Sequence, residues 1–168
     1  MADSIGIVDF NERKIYDQLI RFKKGTFREN RQSKNGFNCN SLDVKEAKDL
    51  TVVQRELAEI FAGKLIIGCA LAGDFESLGL PLGDYIEDAF DLQWEYFDDK
   101  ISTKGKEYIE RWSLKYMCKT LLKIDIQEDG QSHNALQDAQ MTMRIFKEAY
   151  MKITPEPAKR SHGDICLF

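Results

Sequence analysis

An α/β fold is predicted by three features of the sequence. A strand-turn-strand pattern opens the chain, a short continuous apolar run lies near its middle, and two helix-patterned stretches frame the second half. The 168 residues suit one ordinary domain, and 43% hydrophobic residues are enough to bury a core. Charged residues make up 31% and the formal net charge is −4, which excludes a basic coat of the kind that binds nucleic acid over a whole surface. A local basic groove stays open, because steering depends on where charges sit. No apolar run reaches the ~20 residues of a membrane helix. The opening MADSIGIVDF lacks the basic, apolar and small-residue order of a secretory leader. The expected location is intracellular, nucleus or cytoplasm. Cys39, Cys69, Cys118 and Cys166 make no C-x-x-C pair, so reduced thiols are expected rather than structural zinc.

The elements follow in order. IGIVD, FNER and KIYDQLIRF read as a hairpin rich in strand-forming residues. Residues 23–40 are polar with a positive bias and read as a long loop. Val52, Val53, Leu57, Ile60 and Phe61 recur at helical intervals; Thr51 and Gln54 have capping-box spacing, and Gly63 is a natural stop. KLIIG is a strand of the kind buried on both faces. ALAGDFESLGL reads as a short helix or turn before Pro81, and DYIEDAFDL as a further strand. Residues 95–110 are charged and loop-like, and Trp112 to Leu122 reads as a helix with one buried side. A last helix begins near Asn134, with Leu136, Ala139, Met143, Phe146 and Tyr150 on its apolar face. The expected division is a domain over 1–153 and a flexible tail over 154–168, where two prolines fall.

Two segments carry chemistry. In IIGCALAGDFESL a buried strand ends at Gly68, and Asp74 lies just beyond it at the start of a helix. Functional groups gather at such strand ends in open α/β sheets, although a first-turn aspartate also simply favours the helix dipole. In SHNALQDAQMTMRIF, His133 immediately precedes a helix and Asp138 follows five residues later. An imidazole beside carboxylates is a candidate general base, because it titrates near neutrality.

Taken together, these segments resemble the DEDDh exonucleases of ribonuclease-H-like fold, nearest to the Rex-type RNA exonucleases and the interferon-stimulated exonuclease. TVVQRELAEIFAGKLIIGCALAGDFESL is similar to the second motif with its preceding helix, and SHNALQDAQMTMRIF to the third. YIEDAFDLQW and WSLKYMCKTLL resemble the strand and helix between them, and the opening hairpin resembles the second and third strands. The resemblance covers roughly residues 5–150. It implies a mixed sheet flanked by helices and a metal-dependent 3′→5′ exonuclease mechanism. In that mechanism four carboxylates hold two Mg²⁺ or Mn²⁺ ions. By position Asp74 and Asp138 are two of these ligands, and His133 is the base that takes a proton from the attacking water. Single-stranded nucleic acid, RNA by analogy, is the implied partner.

The first motif, an Asp-x-Glu on the central strand, is not evident. Only Met1 to Ser4 precede the hairpin in this sequence, so the first central strand is expected to be lacking or altered. A competing register makes Asp9 the first-motif Asp and metal ligand, with Asn11 in place of the Glu. Two carboxylates return −2 against a charge of +4 on two ions, which implies impaired or absent catalysis. The alternatives are a weakly active enzyme using Asp9, Asp74, Asp138 and His133, and a non-catalytic protein-interaction module. A missing central strand would expose unpaired backbone on its neighbours. Closure of the flanking strands, a strand donated by a protein partner, or a longer parent chain each answers that problem.

Overall fold

The structure, a computed structural model, describes residues 4–21, 47–85, 88–126, 134–153 and 165–167. The opening hairpin forms as expected. β1 (Ser4–Asp9) pairs antiparallel with β2 (Lys14–Arg21). Asp9 builds the turn between them: its Oδ1 accepts from the backbone N–H groups of Asn11 and Arg13 at 2.8 and 2.9 Å, and its Oδ2 from Arg13 Nε at 2.8 Å. Glu12 takes a positive φ of 63° in this turn. Its carboxylate accepts from Arg144 at 2.6 Å and Lys147 at 2.7 Å, tying the turn to the last long helix.

β3 (Lys48–Asp49) leads into α1 (Leu50–Phe61). The Thr51–Gln54 spacing does not cap this helix. Asp49 is the N-cap, without a side-chain bond, and the Gln54 amide instead donates to the Leu78 carbonyl at 2.8 Å. β4 (Ile66–Gly68) is buried throughout, as its apolar run predicts, and is followed by α2 (Leu71–Leu78). β5 (Ala89–Asp91) occupies the end of the segment expected as a strand.

The loop expected over 95–110 is instead a second hairpin, β6 (Phe97–Ile101) against β7 (Glu107–Arg111). Both of its strands are largely exposed, so no alternation of apolar residues marks them. α3 (Leu114–Met117) is capped by the Ser113 hydroxyl and runs on through a wide turn over Cys118–Leu122. α4 (Ala135–Ile145) is capped by Asn134, whose Oδ1 accepts from Gln137 N–H at 3.0 Å, and continues through Phe146–Tyr150 into α5 (Met151–Ile153). No described helix is long and apolar enough to cross a membrane.

The segment expected as a free tail supplies β8 (Ile165–Leu167). This strand enters the middle of the main sheet, whose order is β3-β2-β1-β8-β4-β5. β8 is antiparallel to β1 and parallel to β4, which is itself parallel to β5. The sheet thus closes over the vacancy expected at its centre with residues from the far end of the chain.

Successive side chains of a strand face opposite ways, and the core divides accordingly. Ile5, Ile7 and Ile66 pack with Val53, Leu57 and Phe61 of α1 and Leu71, Phe75 and Leu78 of α2. Val8 and Ile67 face the other layer, with Met117, Cys118, Ala139, Met143 and Phe146. α4 rests directly on β1. A Cβ at Gly6 would lie 2.5 Å from Leu136 N and 2.6 Å from the Ala135 carbonyl, so only glycine permits the approach.

Candidate functional site

The site grows from the turn between β4 and α2. Ala70 adopts a left-handed conformation there, φ 70° and ψ 38°, an arrangement a non-glycine residue keeps only when held. Asp91, at the end of β5, holds it. Asp91 Oδ1 accepts from Ala70 N–H at 3.0 Å and from Gln93 N–H at 2.9 Å, while Oδ2 accepts from Leu71 N–H at 2.9 Å. Those bonds let a nearly buried carboxylate persist away from water. Leu71 folds back over Gly68, where a Cβ would come within 2.1 Å of its side chain.

This turn sets the start of α2, and Asp74 lies in its first turn. Burial, and then the charge of Asp91, push the Asp74 carboxyl up to about 7. Its buried Oδ2 has no hydrogen-bond partner among the described residues. Asp138 lies in the first turn of α4 and is only 1% exposed. Thr142 Oγ1 donates to its carbonyl at 2.9 Å, which anchors the turn that carries it.

The electrostatics bring these acids to one locality. Burial raises the Cys69 thiol, and the charges of Asp91, Asp74 and Asp138 raise it further, with Cys118 contributing as well. Burial and Asp138 push the Cys118 thiol up to about 11, while Arg144 opposes them. Asp74 and Asp138, from two helices on opposite faces of the sheet, thus both act on the thiol at the carboxyl end of β4. Asp91 is the residue that sequence reasoning missed. An aspartate closing a strand segment and followed by the start of a turn is the signal it leaves, because such a carboxylate accepts backbone N–H groups.

Asp9 stands elsewhere. Across the ladder it aligns with Ile165, which aligns with Ile66 at the start of β4, whereas Asp74 lies beyond the end of β4. Its carboxylate serves the hairpin turn and Arg13. Asp74 and Asp138 thus both lie near the carboxyl end of β4, and Asp9 lies at the opposite end of the strands. His133 lies outside the described residues. Its neighbour Asn134 caps α4.

Hard cations take six or more oxygens, several from carboxylates. Asp74 offers an unpartnered buried oxygen, but both oxygens of Asp91 are occupied by backbone N–H groups. Among the described residues no group of three or more His, Cys, Asp or Glu side chains is placed to hold a metal ion. The described residues do not by themselves fit a two-ion cage.

No family profile matches the chain. It is 33% identical over 144 residues to RNA exonuclease 4 of Mycosarcoma maydis, covering 85% of this chain and 36% of that protein. It is 27% identical over 146 residues to human RNA exonuclease 4, covering 87% of this chain and 32% of that protein. The chain belongs to the DEDDh-type exonuclease family. Human interferon-stimulated 20 kDa exonuclease-like 2 is a further relative, 26% identical over 113 residues, covering 60% of this chain and 28% of that protein. The catalytic unit of Neurospora crassa Pan2, containing protease and nuclease domains, matches with TM-score 0.62 and 17% identity, over 84% of this chain and 22% of that one. That likeness shows the ribonuclease-H-like fold alone. The chain spans about a third of the length of the RNA exonuclease 4 proteins it matches. DEDDh exonucleases are generally dependent on divalent metal ions.

Proposed function

We propose that this chain is a nucleic-acid-binding domain derived from a 3′→5′ RNA exonuclease, with catalysis impaired by an incomplete set of acids. Single-stranded RNA is the preferred ligand, by analogy with the RNA exonuclease 4 relatives. By analogy with the family, Asp74 and Asp138 would hold divalent ions, and His133 would be the general base that takes the proton of water. Bound Mg²⁺ or Mn²⁺ would supply charge stabilisation at the scissile phosphate. The observation that supports the reading is the placement of a half-buried Asp74 and a buried Asp138 about the carboxyl end of β4, with no group of three or more potential metal ligands among the described residues.

The chain's own residues suit binding more than hydrolysis. Asp74 titrates near 7, so part of the population presents a neutral carboxyl at physiological pH, which repels phosphate less than two fixed charges would. Incubation of 5′-labelled single-stranded RNA with the purified protein and Mn²⁺ tests the proposal. The expected result is a mobility shift that weakens steeply as salt rises, without shortening of the RNA. Shortening that disappears in Asp138→Ala would overturn the impairment. A lack of any salt-sensitive shift would overturn the binding.

A further inference from the structure

The β6–β7 hairpin forms a sheet of its own, and among the described residues its two strands pair only with each other. A two-stranded ribbon is marginal in water without further support. Its ladder runs from Phe97·Arg111 to Ile101·Glu107 without a bulge. Beyond one end Trp112 N–H donates to the Tyr96 carbonyl at 3.1 Å, and beyond the other Ser102 N–H donates to the Lys106 carbonyl at 2.8 Å. Hydrogen-bonded and non-hydrogen-bonded pairs alternate along an antiparallel ladder. Asp98·Glu110 and Lys100·Tyr108 are therefore the bonded pairs, and the N–H and C=O groups of Glu107, Ile109 and Arg111 point away from β6. Every residue of β7 is exposed, so these groups form an open edge.

The order of side chains along that edge determines what fits it. Glu107 lies two residues before Ile109 and Arg111 two residues after, all three on one face of the ribbon. A second copy laid antiparallel, with its Ile109 opposite this one, sets Glu107 against the second copy's Arg111 and Arg111 against its Glu107. Opposite charges directly across a ladder stabilise it. Ile109, 56% exposed, meets its own copy on the same face. On the other face Tyr108 comes opposite Glu110 of the second copy, a carboxylate that can accept from the phenol. Within the hairpin Glu110 pairs with Lys100. Arg111 donates one N–H to the Gln93 carbonyl at 3.0 Å, and its guanidinium has others to give. The free edge of β6 fails the same test, because antiparallel pairing about Asp99 sets two aspartates opposite each other. Sliding β7 by one residue to pair about Glu110 sets two glutamates opposite. Edges built to refuse a strand carry proline, a bulge or repulsive charge; β7 has no proline and no bulge, and its charges attract a copy of themselves.

We propose that the free edge of β7 is a dimerisation seam. A second copy of this chain adds its β7 antiparallel about a two-fold axis at Ile109, giving one continuous four-stranded sheet in the order β6-β7-β7-β6. The contact is isologous, so each interaction occurs twice except the central one on the axis. Main-chain hydrogen bonds at Glu107, Ile109 and Arg111 supply the affinity, as in other strand additions. The two Glu107–Arg111 pairs fix the register and the antiparallel sense. Phe97 and Ile101, 41% and 70% exposed, lie diagonal to Ile109 on the same face and flank the apolar centre of the seam. A seam of this size makes a weak dimer, in the micromolar range. The inference is independent of the nuclease reading, since none of these residues belongs to the site at the end of β4.

Sedimentation velocity on the full chain, from low micromolar to near-millimolar concentration, tests the seam. The wild type is expected to dimerise increasingly with concentration and less as salt rises, because its ion pairs are exposed. Glu107→Arg sets Arg opposite Arg at both ends of the seam and is expected to weaken dimerisation about tenfold or more. Arg111→Glu sets Glu opposite Glu with the same effect. Mixed in equal amounts, these two variants are expected to form a heterodimer over the wild-type concentration range, since each supplies the sign the other lacks. Ile109→Pro removes a donor on the free edge and leaves the bonds to β6 in place, and it is expected to abolish the dimer. Thermal unfolding of each variant at low concentration should match the wild type, which separates loss of the seam from loss of the fold. A wild-type chain that stays monomeric throughout overturns the proposal. A dimer that Glu107→Arg and Ile109→Pro leave intact lies elsewhere on the molecule and overturns it too. Failure of the mixed variants to associate overturns the register about Ile109.

Discussion

The carboxylate of Asp91 accepts three backbone N–H groups, those of Ala70, Leu71 and Gln93, at 2.9–3.0 Å. It acts on the site through the turn it holds. Asp91→Ala would leave donors unpaired in a buried place, at ~1–3 kcal/mol each. The expected loss of stability in urea unfolding is about 3 kcal/mol or more, with Asp91→Asn losing less because one acceptor oxygen remains. Asp74 poses a different problem. Its folded pKa of about 7 lies above the ordinary 3.8, because burial and Asp91 penalise its charge. The folded state therefore holds the proton more tightly than the unfolded state. The stability this confers is complete below pH ~3.8 and is lost as pH rises through about 7. In metal-free buffer, Asp74→Asn is expected to match the wild type near pH 4. Above pH 8 it should exceed it by on the order of 3 kcal/mol. Parallel stability curves across that range would show that Asp74 is not held in this state.

At the scale of elements, the contact of α4 with β1 is decided by one residue. The groups that a Cβ at Gly6 would strike are the backbone atoms of Ala135 and Leu136, which cannot rotate aside. Gly6→Ala is expected to cost about 2–3 kcal/mol in denaturant unfolding, as overpacking does. The same substitution at Gly73, which meets nothing within 4 Å, should cost far less. These elements also differ in how well the sequence displays them. β4 is legible because burial on both faces demands a continuous apolar run, and α4 because its period and its Asn134 cap agree. The position of Asp138 is legible for the same reason, at a helix start fixed by the Asn134 cap, whereas the start of α2 that carries Asp74 depends on tertiary bonds from Asp91 that no local signal displays. The hairpin of β6 and β7 is not, because its exposed strands carry Asp98, Asp99, Lys100, Glu107 and Glu110 where a buried strand would show alternation. Thr51 and Gln54 mislead because a tertiary bond to Leu78 takes the Gln54 side chain. β8 is hidden by its length, since three residues carry no period.

At the scale of the molecule, the two layers of the core meet on a sheet whose middle strand comes from the far end of the chain. β1 and β4 do not pair with each other, so β8 is the backbone link between the hairpin half of the sheet and the β4–β5 half. Such a link is a contact of high sequence separation, of the kind that closes late in folding. It is also the least extensive ladder joining the halves, so it should open before them. Proline at the centre of a strand removes a ladder donor and its ring crowds the neighbour, which makes Cys166→Pro a specific way to weaken the link. The expected result is a fall of about 3 kcal/mol in unfolding free energy. Accelerated hydrogen exchange should accompany it at Ile7, Val8, Ile66 and Ile67, the residues whose neighbours include β8. The β6–β7 hairpin, which belongs to a separate two-stranded sheet, should exchange as in the wild type. Unaltered exchange along β1 and β4 would mean that Ile165–Leu167 does not hold the sheet together. Acceleration confined to those two strands would identify the β8 ladders as the weakest seam of the fold.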